Sequence, residues 1–250
     1  MLLALDVGNR KIKLALFENN EIKKKETFSD FEKLKFSLVK IDFNSVAISS
    51  VNPITTKRLL SYLQTRLEKP PFLLNYEASF NIDIGYKSPH SLGMDRVCGV
   101  EGANYLQKVN QNNEKAILTV DLGTATTINY LNSNKKFIGG AIAPGVYTMI
   151  KALEHNTALL PSVDPHEYKN FIGTDTPSSI VTGVVNATIG LIERFYNKIS
   201  KEEKDIALFI TGGNSMFILP YFEIQYHYCP ELNLIGLKEI YKLNTSKEGD

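Results

Sequence analysis

A short acidic motif occurs twice in this chain, as Leu5-Asp6-Val7-Gly8-Asn9 near the start and as Val120-Asp121-Leu122-Gly123-Thr124 almost half the length later. In each copy apolar residues lead into an aspartate, followed by a glycine, a small polar residue and an alternating run: Ile12, Leu14 and Leu16 in the first, Ile128 and Tyr130 in the second. That pattern describes a β-hairpin whose tight turn carries one carboxylate and offers backbone N–H groups. Such turns hold phosphate oxygens through their amides while the carboxylate holds a hydrated cation. Two of them in one chain point to a duplicated lobe and to a nucleotide clamp.

At 250 residues the chain has room for two lobes with a core each. The polar stretch over 107–114 is the expected boundary, giving an N-terminal lobe of residues 1–113 and a C-terminal lobe of residues 114–250. With 28 basic against 27 acidic residues the net charge is +1, so no global field draws the protein to nucleic acid or to an anionic membrane. Lys23-Lys24-Lys25 reads as a solvated hairpin edge. Cys98 and Cys229 have no paired spacing, which argues against a disulfide framework or a thiolate zinc site and fits a reducing cytosol. The chain enters a strand directly from Met1, and no apolar run approaches the roughly 20 residues of a membrane helix. A soluble cytoplasmic protein is expected.

Between the hairpins the pattern alternates: a helix over 31–41, a buried strand over 45–51, a helix over 54–67 stopped by Pro70-Pro71, and a strand over 72–74. An α/β lobe on a mixed sheet follows. An irregular loop over 85–93 leads to a helix over 94–106, where Gly99, Gly102 and Ala103 permit close approach. In the second half a strand over 116–120 opens the second hairpin, which is expected to end at Gly139-Gly140 with a turn over 141–145. A helix over 146–155 and a loop-rich stretch over 161–173 come next. A long helix then runs to about residue 198, with Thr176 as N-cap and Pro177 as first helical residue. A buried strand over 206–210 delivers Thr211-Gly212-Gly213 at its C-terminal end, where open α/β sheets place ligands. The residues after Lys242 read as a frayed tail.

In the nucleotide reading Asp6 orients a magnesium-bound water at the phosphates, Gly8 and Asn9 give N–H groups, and Lys13 points back at the same phosphates. Gly123 and Thr124 close from the other lobe, while Gly212 and Gly213 let adenosine lie flat on the backbone. The chain has no Walker glycine loop and no G-x-G-x-x-G after a strand, so ATP binding would rest on the hairpins. Gly93-Met94-Asp95-Arg96 opens a helix. Its plain reading is an acidic residue suiting the helix dipole beside a surface arginine. Its chemical reading has Asp95 accept a proton from a substrate hydroxyl while the planar fork of Arg96 grips a substrate carboxylate, with Tyr86 on the same ligand. An aspartate with a pKa near 4 is a weak base, so its contribution would be largely positional, as phosphoryl transfer allows. The four histidines show no metal spacing and no G-x-S-x-G elbow occurs, which leaves hydrolase and zinc readings without support and the histidines as surface or capping residues.

Taken in order, Asp6-Val7-Gly8-Asn9, Gly93-Met94-Asp95-Arg96 with Gly102-Ala103, the stretch from Asp121 to Thr126, Gly139-Gly140 through Pro144-Gly145, Thr157-Ala158 with Pro161, Gly173 with Thr176, and Thr211-Gly212-Gly213 resemble the type III pantothenate kinases. The match runs over nearly the whole chain, and Leu232 to Leu237 near its end looks similar too. The resemblance implies two ribonuclease-H-like lobes of the actin and sugar kinase superfamily, with mixed central sheets and flanking helices. It implies ATP-dependent phosphorylation of pantothenate, the first step of coenzyme A synthesis, with Mg2+ and a monovalent cation, K+ or NH4+. Carried onto this chain, Asp6, Val7, Gly8, Asn9, Arg10, Lys11, Ile12 and Lys13 bind ATP phosphates, and Thr124 binds the nucleotide. Asp95 is the general base, and Gly93, Met94, Asp95, Arg96 and Tyr86 hold pantothenate. Asp121 binds the monovalent cation, and Thr176 completes the pocket of a neighbouring subunit in a homodimer.

Two residues depart from the family's pattern. Arg10 stands where a short hydroxyl residue is usual, and Asn129 where many members have an aspartate, removing a charge near the expected cation. Besides an active kinase, the alternatives are a non-catalytic ligand-binding or regulatory accessory protein of the same fold, and a phosphatase or other small-molecule kinase on the same lobes. The last rests on architecture alone, a weak warrant for chemistry.

Overall fold

A computed structural model of the chain describes residues 1–110, 115–167 and 170–246. It forms two compact units, Met1–Asn113 with Glu231–Asp250, and Glu114–Pro230. Among the described residues no helix is long and apolar enough to cross a membrane.

The first unit opens with β1 (Leu2–Val7), β2 (Ile12–Glu18) and β3 (Glu21–Phe28), then α1 (Phe31–Leu38), β4 (Ser45–Ser50), α2 (Pro53–Gln64), β5 (Phe72–Leu73), β6 (Asp83–Ile84) and α3 (Met94–Val109). Its central sheet is ordered β3-β2-β1-β4-β5. β1 and β2 are antiparallel, while β4 runs parallel to β1 and β5 parallel to β4. Leu3, Leu5 and Val7 of β1 are fully buried, and Leu34, Leu38, Leu59 and Leu63 of α1 and α2 pack in the same core. Each such leucine contributes roughly 1.5–3 kcal/mol. The lysine run lies on edge strand β3, where Lys23 pairs with Glu18 and Glu21 and Lys24 with Glu26, as a solvated edge requires.

The second unit repeats the plan: β7 (Ala116–Leu122), β8 (Ala125–Leu131), β9 (Lys136–Pro144), α4 (Val146–Asn156), α5 (Thr176–Ile199), β10 (Ile206–Thr211), α6 (Ser215–Ile218) and β11 (His227–Tyr228). Its strands lie in the order β9-β8-β7-β10-β11, strand for strand the order of the first unit. An antiparallel meander is extended in both by a parallel strand beside its first member. The duplicated motif is thus a duplicated topology. Val181, Val185 and Ile192 of α5 cover Leu118, Val120 and Ile210 of this sheet.

The last helix departs from the expected division of the chain into residues 1–113 and 114–250. α7 (Leu232–Thr245) belongs to the first unit. It lies across α3 backbone to backbone: a Cβ on Gly102 would stand 2.2 Å from the Leu232 carbonyl oxygen, and one on Gly236 would stand 1.8 Å from that of Cys98. The α3 glycine therefore admits a helix, as the small residues there suggested. Lys238, 1% exposed, fixes the same docking, with its ammonium 4.5 Å above the Tyr105 ring, 5.3 Å above that of Phe17 and 2.7 Å from Glu239 Oε1. The helix also runs past Lys242 to Thr245, where a frayed tail was expected.

Two further local expectations change. β9 carries through Gly139 and Gly140 to Pro144 in place of a turn over 141–145, because its pairing with β8 continues unbroken from Tyr130↔Gly139 to Ala125↔Pro144. Helix α5 is capped by Asp175 and not by Thr176: the Asp175 carboxylate accepts the Ser178 N–H at 2.8 Å, and a capping box with Ser178 completes it. Of the polar boundary stretch, residues 111–114 lie outside the described residues.

Candidate active site

In the first unit β1 ends at the loop 8–11, which Gly8 closes by donating its N–H to the Lys11 carbonyl at 3.0 Å. That corrects one expectation: the Gly8 amide is spent on the turn. Asp6 pairs in register with Lys13 of β2 and with Ser49 of β4, so the three side chains rise from one face of the sheet. Asn9, Arg10 and Lys11 are exposed along the loop, while Val7 and Ile12 anchor it in the core.

Helix α3 starts with Gly93 as an N-cap that offers no side chain, and Met94 as its first residue. Asp95 follows in the first turn. Its Oδ1 accepts the Arg96 N–H at 2.8 Å. Arg96 is 6% exposed, which overturns the plain reading of a surface arginine. Its guanidinium carbon lies 5.6 Å from the centroid of the Tyr86 ring, so the structure brings together the two residues singled out for one ligand. Further along, the buried Cys98 thiol is pushed well up, first by burial and then by the charge of Asp6, with smaller pushes from Asp95 and Glu101. Asp6 and Asp95 therefore both act on one thiol, which stays protonated and inert.

In the second unit the turn Gly123-Thr124 joins β7 to β8 and is held from three sides. Gly123 N–H donates to the Ala125 carbonyl at 3.0 Å, and the Gly123 carbonyl accepts Asn214 Nδ2 at 2.7 Å. The Thr124 carbonyl accepts Gly145 N–H at 3.0 Å and Thr148 Oγ1 at 2.7 Å. Asp121 pairs in register with Thr127 and Thr211, the counterparts of Lys13 and Ser49 around Asp6. After Thr211 the chain turns at Gly212, whose φ of 103° lies in the left-handed region; a Cβ there would stand 2.4 Å from Leu122 N and 2.6 Å from Asp121 Oδ1. Gly212→Ala is expected to destabilise the second unit by about 1–3 kcal/mol, read as a lower urea midpoint. Gly213, exposed, follows in the bend before α6.

Asn129 is 2% exposed and donates from Nδ2 to Thr119 Oγ1 at 3.2 Å, so its amide has a structural bond within the β7–β8 pair. Thr176 is the exposed first residue of α5. All four histidines are exposed, as the surface reading expects, and His90 also meets the Tyr76 ring, His166 that of Phe217 and His227 that of Phe209. Ser49 and Asn214 were missed in the sequence; the only signal for each was its place beside a strand end that carries an aspartate.

Residues 2–198 match the model of the family described as type III pantothenate kinase. The chain belongs to that family. Type III pantothenate kinases from Dictyoglomus turgidum and Cytophaga hutchinsonii are each 33% identical to it, covering 98% of this chain and all of theirs. Among solved structures a conserved Baf family protein from Campylobacter jejuni superposes with a TM-score of 0.64 at 23% identity, over 98% of this chain and 99% of that one. The ROK hexokinase of Thermus thermophilus gives 0.52 at 12% identity, over 96% and 97%. The activator of 2-hydroxyisocaproyl-CoA dehydratase from Clostridium difficile, solved with bound ADPNP, gives 0.53 at 11%, over all of this chain and 97% of that one. At these identities the three show the fold alone, a mixed α/β architecture shared with this pantothenate kinase.

Proposed function

We propose that this kinase transfers the γ-phosphoryl group of ATP to the hydroxyl of pantothenate, giving ADP and 4′-phosphopantothenate in the first step of coenzyme A synthesis. The observation that carries the reading is the head of α3, where the Asp95 carboxylate is followed at once by a buried Arg96 seated against Tyr86. Pantothenate is a small acid that also bears an alcohol, and these two residues answer those two groups. Arg96, with Tyr86, Gly93 and Met94 around it, holds the carboxylate; Asp95 aligns the hydroxyl and accepts its proton as the new P–O bond forms. The transition state is loose, so alignment contributes more than basicity.

ATP phosphates are assigned to the loop of the first unit. With the Gly8 amide spent, the donors there are the Asn9 and Arg10 amides and the Lys13 ammonium, which stands across from Asp6. Thr124, Gly212 and Gly213 take the nucleotide in the second unit, a role supported by the bonds that fix both turns and by the ADPNP-bound fold relative. Asp6 suits Mg2+: among the described residues no group of three or more His, Cys, Asp or Glu forms a metal cage, and magnesium at phosphates uses one or two carboxylates and its own waters. When bound, the ion neutralises phosphate charge. Asp121 supplies a hard oxygen suited to K+ or NH4+. Thr176, exposed beside Phe171 and Ile172, which are 74% and 72% exposed, is read as part of a homodimer contact. The protein is assigned to the cytoplasm.

The test is an acceptor panel with ATP, Mg2+ and K+: pantothenate is expected to be phosphorylated, and glucose or N-acetylmannosamine in its place would move the chain to another kinase specificity. Arg96→Lys is expected to raise the pantothenate KM about 10-fold or more with the ATP KM unchanged, because an ammonium cannot form the two parallel bonds of a guanidinium. An unchanged pantothenate KM would take Arg96 out of the acceptor site.

A further inference from the structure

The segment that brings Tyr86 to Arg96 is held by two side chains that the sequence did not single out. Glu101 on α3 is 1% exposed and accepts the Asn81 N–H at 2.6 Å and Asn81 Nδ2 at 3.3 Å. In the last turn of α7, Asn244 accepts the Ser79 N–H at 2.8 Å and donates to the Ser79 carbonyl at 2.9 Å, as a neighbouring strand residue would. The base of the segment is closed by Tyr76 and His90, whose rings meet edge to face with centroids 4.2 Å apart. Burial raises the Glu101 carboxyl against the pull of its Asn81 bonds, so keeping it inside is unfavourable in itself. A leucine would fill the same place without that cost. What the carboxyl adds is the hold on Asn81.

We propose that Glu101 and Asn244 are positioning residues: they fix residues 79–82 from α3 and α7, so that Tyr86 meets the Arg96 guanidinium and the pair is preformed for pantothenate. The substrate part rests on the reading of Arg96 and Tyr86 as pantothenate contacts; the hold on the segment does not. Neither residue touches the reacting atoms, so their loss is expected in acceptor affinity and not in the chemical step.

The experiment compares Glu101→Leu, Glu101→Gln and Asn244→Ala in the full-length kinase. Amide hydrogen exchange over residues 79–92 reads the hold directly and is expected to quicken about 10-fold or more in Glu101→Leu and Asn244→Ala, with the rest of α3 unchanged. Glu101→Gln keeps an oxygen for the Asn81 N–H and is expected to exchange like the wild type. In steady state the pantothenate KM is expected to rise about 10-fold in the first two variants and to stay within about twofold in Glu101→Gln, with the ATP KM unchanged in all three. Unchanged exchange over 79–92 would overturn the proposal, as would a fall in thermal stability with no change in pantothenate KM. If Glu101→Leu does not fold, Asn244→Ala, on a separate helix, gives the answer. A wild type that leaves pantothenate unbound would contradict the function read for the site and the substrate part of this proposal with it, while exchange still judges the hold on the segment.

Discussion

Asp95→Asn is expected to cut the turnover of pantothenate by about 100-fold or more while ATP affinity and thermal stability stay close to wild type. The structure gives the reason for the split. Asp95 Oδ1 accepts the Arg96 N–H, and the amide oxygen of asparagine accepts it equally, so the first turn of α3 keeps its bond. What asparagine lacks is a second oxygen: with its amide oxygen held by the Arg96 N–H, it turns an NH2 group toward the place where, in the proposed role, the substrate hydroxyl is aligned and gives up its proton. Because that alignment matters most as the P–O bond forms, kcat and kcat/KM are expected to fall together, with little change in KM. Steady-state kinetics beside a thermal melt checks this, and a variant as active as the wild type would remove Asp95 from the catalytic role.

Gly236→Ala is expected to lower stability by roughly 3 kcal/mol, a fall in Tm of about 6–12 °C. A Cβ at this position would stand 1.8 Å from the Cys98 carbonyl oxygen and 2.7 Å from Gly102 N, backbone atoms that cannot rotate away. α7 must then move off α3. Since α3 carries Asp95 and Arg96, an ångström of displacement is expected to cost about 100-fold in kcat/KM as well. Gly183 on α5 is the control: nothing lies within 4 Å of a Cβ built there, and Gly183→Ala is expected to be neutral or stabilising by up to about 1 kcal/mol through helix propensity. Similar losses in the two variants would mean that the α3–α7 contact is not the source.

Both hairpins, the aspartates in them and the order of most elements are legible in the residues, because strand alternation and the Asp-x-Gly turns are local signals. Where α7 packs is not local. Its apolar face shows that it covers something, but only Gly102 and Gly236 meeting across the contact assign it to the first unit. The cap of α5 was misplaced by one residue, since Asp175 and Thr176 are both good caps and only the Asp175–Ser178 bonds distinguish them. β9 was cut short at Gly139-Gly140 because glycine pairs read as turns, whereas here they lie inside an unbroken ladder. At the proposed site, Asp95 and Arg96 stand out by residue type at a helix start, whereas Tyr86 is one of 12 tyrosines and is marked only by its place in the preceding loop and by the family resemblance. The burial of Arg96 against Tyr86 was not legible, and neither were Glu101 and Asn244, whose partners are backbone groups of a loop without a motif.

The most direct test of the central claim is the stoichiometry of one reaction: purified kinase with ATP, Mg2+, K+ and pantothenate, its phosphorus products followed by 31P NMR. The account predicts one ADP and one 4′-phosphopantothenate for each ATP consumed, with both signals lost together in Asp95→Asn. Pantothenate that binds without being phosphorylated, or ADP that accumulates with free phosphate and no phosphopantothenate, would contradict it.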